Sequence, residues 1–145
     1  MLLSVVGGKV SEGINFNDDM CRCVVMIGMP YSNVKSPQLQ EKMKYFDTNL
    51  GPGKGRFYYE NLCFKAVNQS IGRSIRHKDD YSVILLLDQR YCDRRDQVKK
   101  SLPGWIADHL IDSQSFDSAM KSIESFFASK RGHQKSCVSE TKRQQ

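Results

Sequence analysis

Residues Gln69-Ser70-Ile71-Gly72-Arg73-Ser74-Ile75-Arg76 bring one amide and two guanidiniums together at spacings suited to an anion. A helical pattern runs into this stretch from about Phe57. At roughly 100° per residue, Phe64, Val67, Ile71 and Ile75 form one apolar stripe, and Gln69, Arg73 and Arg76 fall within about 60° of one another on the opposite side. Guanidiniums are rigid forks that match phosphate oxygens. No acidic residue lies within the stretch to neutralise them. Gly72 is expected inside the helix, at a cost of about 1 kcal/mol relative to Ala. A glycine there lets a ligand or another backbone come close beside Arg73. The plain alternative is a solvated basic face.

A second constellation is Gly8-Lys9-Val10-Ser11-Glu12-Gly13-Ile14-Asn15-Phe16. It is expected at the carboxyl end of a first strand, where open α/β sheets bind ligands. Gly13 permits positive φ, the Ser11 hydroxyl suits a phosphate contact, and Glu12 and Asn15 are polar groups on a short loop. An ordinary turn with a local side-chain bond remains the alternative. A phosphate-cradling P-loop needs G-x-x-x-x-G-K-[ST]. Neither Val6-Gly7-Gly8-Lys9-Val10 nor Gly51-Pro52-Gly53-Lys54-Gly55 meets it, and Pro52 removes a backbone donor. No strand ends in a D-E-x-H box that would hold magnesium. These 145 residues by themselves are therefore not expected to hydrolyse ATP.

The elements that must position these groups follow from periodicity. Leu2–Val6, Arg22–Met29 and Val83–Leu87 are apolar runs that predict strands, the last two covered on both faces as in a parallel sheet. Ser36-Pro37 predicts a helix start, with Ser as cap and Pro in the first turn. Leu39, Met43, Phe46 and Leu50 mark its inner face. Gly51–Gly55 reads as a flexible loop before the long helix from Phe57. Leu102-Pro103-Gly104-Trp105-Ile106 predicts an apolar anchor ahead of a short helix, and Phe116, Met120, Ile123 and Phe127 a last amphipathic helix. Strands alternating with helices imply an α/β fold with a parallel sheet flanked by helices. Three strands make a thin sheet, so others are expected upstream of Met1. One domain is expected over residues 1–130, followed by a basic, disordered tail over 131–145.

Composition sets limits on function. The chain is 39% hydrophobic and 26% charged, within the globular range. No apolar run is long enough to cross a membrane, and the N-terminus lacks the basic start of a signal peptide. Of the net charge of +6, the tail from Lys130 carries +4, so bulk charge argues only weakly for nucleic acid. Five cysteines, an odd number with two in apolar surroundings, suit a reduced intracellular protein. Cys21-Arg22-Cys23 lacks zinc-site spacing, so no metal site is expected. His77 reads as a residue favoured at a helix C-terminus, with a base role as the alternative. Lys99-Lys100 reads as a solvated pair.

The pattern Q-x-x-G-R-x-I-R at Gln69–Arg76 resembles motif VI of superfamily-2 helicases. Ser11-Glu12-Gly13-Ile14-Asn15-Phe16 resembles motif V of the XPD-type iron–sulfur DNA helicases, and Cys23–Tyr31 their strand and Met-Pro-Tyr turn. Met29–Tyr31 and Leu-Asp-Gln-Arg-Tyr at Leu87–Tyr91 favour the branch of the DEAD/H-box type helicase associated with Warsaw breakage syndrome. The resemblance reaches about Ile106. It implies a partial RecA-like (P-loop NTPase-type) helicase C-terminal domain, part of an ATP-dependent DNA helicase that unwinds 5′ to 3′. Arg76 would be the arginine finger and Arg73 its partner on the triphosphate. Gln69, Glu12, Gly13 and Asn15 would line the nucleotide cleft, and Ser11 would approach the DNA backbone. ATP with magnesium would sit in a cleft shared with a first RecA-like motor domain. The family's 4Fe–4S cluster would lie upstream, since none of these five cysteines matches its ligands. Single-stranded or forked DNA, a nuclear location, and roles in DNA repair and chromosome cohesion follow from the same resemblance. Asn15 departs from the family's usual Asp and loses its charge. An RNA helicase of the DEAD-box type is disfavoured, because its motif VI usually begins with His where Gln69 stands and has Gly where Ile75 stands. The rival from another class is a truncated, catalytically inert helicase-derived protein acting as a binding module.

Overall fold

A computed structural model of the chain describes residues 1–8, 20–75, 77, 80–112 and 115–141. It divides into two compact units, Met1–Leu110 and Ile111–Gln145.

The first unit is built on two adjacent parallel strands, β1 (Cys23–Ile27) and β2 (Val83–Leu87), in the register Cys23↔Val83 to Ile27↔Leu87. Between them run helices α1 (Pro37–Leu50) and α2 (Lys54–Ile71), joined by a three-residue turn. After β2 come the short helices α3 (Gln89–Asp93), α4 (Arg95–Ser101) and α5 (Gly104–Ala107). The α/β class and the parallel pairing are as expected. The core forms where the inner face of the sheet, through Val24, Met26, Ile84 and Leu86, meets α2 and α4. Val67 and Ile71 of α2 and Val98 of α4 are fully buried there.

Two expectations fail. Leu2–Val6 is not a strand among the described residues; Leu2, Leu3 and Val5 are exposed, and a turn closes with the Gly8 N–H donating to the Val5 carbonyl at 3.0 Å. A five-residue run forms a strand only where its backbone N–H and C=O groups pair with a sheet edge, and among the described residues they do not. Next, the strands are not covered on both faces. Val25, Ile27 and Leu87 are exposed, because the helices of this unit cover one face and alternate residues point to the other. A continuous apolar run predicts two-sided burial, whereas these strands bury one face only within this unit. The second unit consists mostly of α6 (Phe116–Thr141). Its polar end has no proline to stop a helix already propagating from the amphipathic part.

The long helix begins at Lys54, three residues before the expected Phe57, so the glycine loop is shorter than predicted. Close packing decides this start. Gly55 is buried against α1, where a Cβ would land on the Met43 carbonyl oxygen, and its N–H donates to Asp47 Oδ1 at 2.8 Å. The helix pair is further joined by stacking of Phe46 on Tyr58, with centroids 4.6 Å apart. Ser36 and Pro37 stand at the start of α1 as predicted, although the Ser36 hydroxyl makes no capping bond. Leu39 is buried and Met43 and Phe46 are half-buried, but Leu50 is exposed, so the inner face of α1 ends before its last turn. Leu102 and Ile106 are buried as the anchor predicts; Trp105 is half-exposed.

The amino ends of the strands are clamped together. Arg22 Nη1 donates to Asp80 Oδ1 at 2.6 Å and to the Tyr81 carbonyl at 3.0 Å, and its guanidinium lies 4.1 Å from the Tyr81 ring centroid. The Asp80 carboxylate is only 2% exposed. It also accepts the Tyr81 N–H, and the Val83 N–H donates to the Arg22 carbonyl. This pair aligns the first residues of β1 and β2 and so sets the register that the site at the other end inherits.

Candidate functional site

At the carboxyl ends of both strands the chain turns out of the sheet, and two turns meet. The Gly28 N–H donates to the Leu87 carbonyl at 3.0 Å, adding one rung to the parallel ladder. Gly28 then takes φ +79°, a value that L side chains rarely adopt, and directs Met29-Pro30-Tyr31 across the sheet end. Opposite, Asp88 caps α3 by accepting the Arg90 N–H at 2.9 Å. The same carboxylate takes the Arg90 guanidinium as a two-pronged fork, Nε to Oδ1 at 2.8 Å and Nη2 to Oδ2 at 2.6 Å. Those bonds hold the Asp88 carboxyl well below the usual carboxylate range and push Arg90 further up from its ordinary value. Both groups keep their charges at any physiological pH.

The oriented guanidinium lies 5.4 Å from the centroid of the Tyr31 ring. Tyr31 stacks in turn on Tyr59 of α2, with centroids 5.1 Å apart and planes 28° from parallel, and the Tyr59 hydroxyl donates to the Ser32 carbonyl at 2.9 Å. A cation and two aromatic rings thus form a continuous tier along the sheet end. Behind it the Tyr91 hydroxyl donates to the Gly28 carbonyl at 3.3 Å. Burial pushes the Tyr91 phenol up to about 12 and the Cys63 thiol up to about 11, so both stay neutral and serve as packing.

The tier is braced by Glu60, one residue after Tyr59. Its carboxylate accepts Arg94 Nη1 at 2.9 Å and Gln97 Nε2 at 2.7 Å, tying α2 to the start of α4. Burial raises the Glu60 carboxyl, but the bonds from Gln97 and Arg94 outweigh it, and the net value lies below 4.5. A depressed folded value gives stability that is present above the unfolded value and lost as pH falls through the folded one. Wild type is therefore expected to melt a few degrees above Glu60→Gln at pH 7, roughly 1 kcal/mol. That gap should close as the buffer is taken from about pH 5 to 3, read by circular dichroism.

The motif VI residues are placed differently from the predicted ridge. α2 ends at Ile71, and Gly72 is its C-cap, not an interior residue. The chain then tightens: the Gly72 N–H donates to the Asn68 carbonyl at 2.9 Å, the Ser74 N–H to the Ile71 carbonyl at 3.0 Å, and the buried Ser74 hydroxyl to the same oxygen at 2.8 Å. Gln69 is exposed on the last turn of α2, while Arg73 is half-buried in the turn beyond it. The two do not share a helical ridge. Phe64, Val67 and Ile71 are buried as the stripe predicts, and Ile75 lies past the helix end. Arg76, Ser11, Glu12, Gly13 and Asn15 lie outside the described residues. The strand expected to position the last four is not formed.

Tyr31, Tyr59, Asp88 and Arg90 were not predicted as site residues. Their signal was available, since aromatic and basic residues directly after parallel strands stand where open α/β sheets bind ligands. Along α2, Tyr59 and Ile71 are separated by about 18 Å of helical rise. The aromatic tier and the turn carrying Arg73 are thus at opposite ends of one helix. Among the described residues, no three His, Cys, Asp or Glu side chains are grouped as a metal site, and no helix is long and apolar enough to cross a membrane.

Parallel strands joined through a pair of helices define an α/β crossover unit. The chain belongs to the helicase C-terminal domain family, which it matches over residues 1–109. It is 52% identical over 135 residues to the ATP-dependent DNA helicase DDX11 of Danio rerio, and equally so to DDX11 of Mus musculus. It is 42% identical over 137 residues to the ATP-dependent DNA helicase chl1 of Schizosaccharomyces pombe. Each alignment covers 90% of this chain, and the chain spans about 15% of the length of these relatives. The motif-based resemblance to the XPD-type DNA helicases, and the partial RecA-like fold it implied, hold.

Proposed function

We propose that this chain forms the C-terminal part of an ATP-dependent DNA helicase that couples nucleotide contacts at one end of α2 to single-stranded DNA held at the other. The observation that carries this reading is the Arg90–Tyr31–Tyr59 tier at the carboxyl ends of β1 and β2. Stacked aromatic faces with a neighbouring guanidinium suit unpaired bases of any sequence, and each stacked base contributes about 1–3 kcal/mol. The relatives' names support DNA as the substrate. A nuclear site of action and unwinding of forked DNA from 5′ to 3′ extend this reading.

The donors at the far end of α2 suit a triphosphate. Arg73 offers a fork and Gln69 an amide, and the tight turn at Gly72–Ser74 fixes the backbone between α2 and Arg73. Arg76, Glu12, Gly13 and Asn15 complete that set in this proposal, with Ser11 on the DNA backbone. ATP supplies the energy-yielding phosphoryl group when bound. This chain's residues bind and orient its phosphates, and the magnesium ligands belong to a first motor domain that closes on this one. The described cysteines do not fit a 4Fe–4S cluster, which requires several thiolates grouped together.

Fluorescence anisotropy with labelled oligo-dT tests the DNA half on the chain itself. Tyr31→Ala is expected to weaken binding roughly tenfold, the loss of about one stacked base. Tyr31→Phe, which keeps the ring, is expected to bind as wild type. Equal affinity for all three proteins refutes the tier as a DNA contact. A second reading, an inert binding module, is favoured by the missing P-loop motif. Fusing the segment to a P-loop-bearing motor domain separates the two. DNA-stimulated ATP turnover supports the motor, and none supports the module.

A further inference from the structure

The Asp88–Arg90 pair holds more bonds than a helix cap requires. A cap needs one acceptor, and Asp88 Oδ1 already provides it to the Arg90 N–H at 2.9 Å. Yet the same carboxylate commits both oxygens to one edge of the Arg90 guanidinium, through Nε at 2.8 Å and Nη2 at 2.6 Å. An exposed ion pair contributes little to stability, because water screens both charges. The Arg90 side chain is 47% exposed. Residues two apart do not face each other on a helix. These two meet because Asp88 is extended, with φ −164° and ψ 135°, and stands just before the first turn of α3. The carboxylate also reaches the turn that carries Tyr31. The Met29 N–H helps to hold its charge, and a Cβ on Gly28 would lie 3.8 Å from Asp88 Oδ2. Asp88 thus stands between the two segments that bring Arg90 and Tyr31 together.

A guanidinium gripped along one edge keeps its plane fixed and its flat face available for stacking. Its charge is cancelled at contact distance, so it attracts a phosphate far less than an unpaired arginine does. We propose that Asp88 is a positioning residue: it makes Arg90 a stacking platform for the bases of a single strand and withholds the Arg90 charge from the phosphates. This rests on the reading of the tier as a DNA contact, and it narrows what the tier takes to unpaired bases, not the sugar-phosphate track. Arg90 then contributes through its face, in line with Tyr31 and Tyr59.

Anisotropy titrations of the 145-residue chain with labelled oligo-dT, repeated from about 50 to 200 mM KCl, test the assignment. Each phosphate neutralised on a single strand adds about 0.7 to the slope of log affinity against log salt. Arg90→Gln is expected to weaken binding about threefold, the loss of one cation from the stack. Its slope should stay within about 0.2 of wild type, since a paired guanidinium releases no counterion. Asp88→Asn keeps an acceptor for the α3 cap and releases the guanidinium. It is expected to steepen the slope by about 0.5 or more and to weaken binding about threefold at the top of the salt range. A purely structural role for Asp88 would lower the melting temperature and leave the slope alone; circular dichroism reads the fold of each variant. Three results overturn the proposal: an unchanged slope in Asp88→Asn, wild-type affinity in Arg90→Gln, or a slope flattened by about 0.7 in Arg90→Gln, which would put Arg90 on a phosphate. Wild-type binding by Tyr31→Ala refutes the tier itself. Weakened binding by Tyr31→Ala together with any of those three results refutes only the roles given to Asp88 and Arg90.

Discussion

Replacing Arg76 by Ala, in a full-length motor carrying this segment, is expected to lower ATP turnover by about 10³-fold or more while nucleotide still binds. Arginine fingers stabilise charge on the transferring phosphoryl group and contribute about 10³ to 10⁵ in rate. Arg73→Ala is expected to cost less, since in the proposed site Arg73 would contact the triphosphate in the ground state as well; its loss would divide between KM and kcat. Lysine should rescue neither, because a point charge does not reproduce the two-pronged donor. Steady-state ATPase assays with saturating DNA read both. The split matters because Arg73 sits half-buried in the turn that closes α2, where a purely structural role would lower stability and leave the KM and kcat of the folded fraction unchanged. Near wild-type turnover in Arg76→Ala would remove the finger assignment and leave the DNA tier standing.

The second large effect is on stability. Arg22→Ala is expected to destabilise the first unit by about 1.5–3 kcal/mol, the usual range for a hydrogen bond to a charged group, because the Arg22 guanidinium is 22% exposed. The Asp80 carboxylate, 2% exposed, would keep the Tyr81 N–H but lose its 2.6 Å bond from the Arg22 guanidinium. The variant would also lose the guanidinium stacked on Tyr81. A two-stranded sheet has few other contacts to absorb the loss, so urea denaturation should show a much lower midpoint. Asp80→Asn is the informative companion. It removes the charge but keeps an acceptor, so it should cost clearly less than Arg22→Ala if the stranded charge is the cause.

Much of the architecture could be read from residue types alone. The apolar runs at Val24–Ile27 and Val83–Leu87 became β1 and β2, and the 3–4 spacing of Phe64, Val67 and Ile71 became the buried stripe of α2. These signals are local and redundant, so they survive whatever surrounds them. The motifs also placed the chain in its family, because Gln69–Arg76 and Met29–Tyr31 are short, ordered patterns that need no coordinates.

Helix ends and faces were not readable in the same way. Periodicity continued through Ile75 although α2 stops at Ile71, because spacing reports which face is apolar and not where the backbone turns; the better signal was Gly72 as a cap. The start at Lys54 depended on Gly55 fitting beneath the Met43 carbonyl, a contact between two helices. The tier of Arg90, Tyr31 and Tyr59 joins residues from three separate elements, and the Arg22–Asp80 clamp spans 58 positions. Residue order determined the class, the family and the candidate phosphate-binding arginines. Only the tertiary fold decided which groups stand together, because hydrogen bonds and ring contacts act over a few ångströms of space, whatever the distance along the chain.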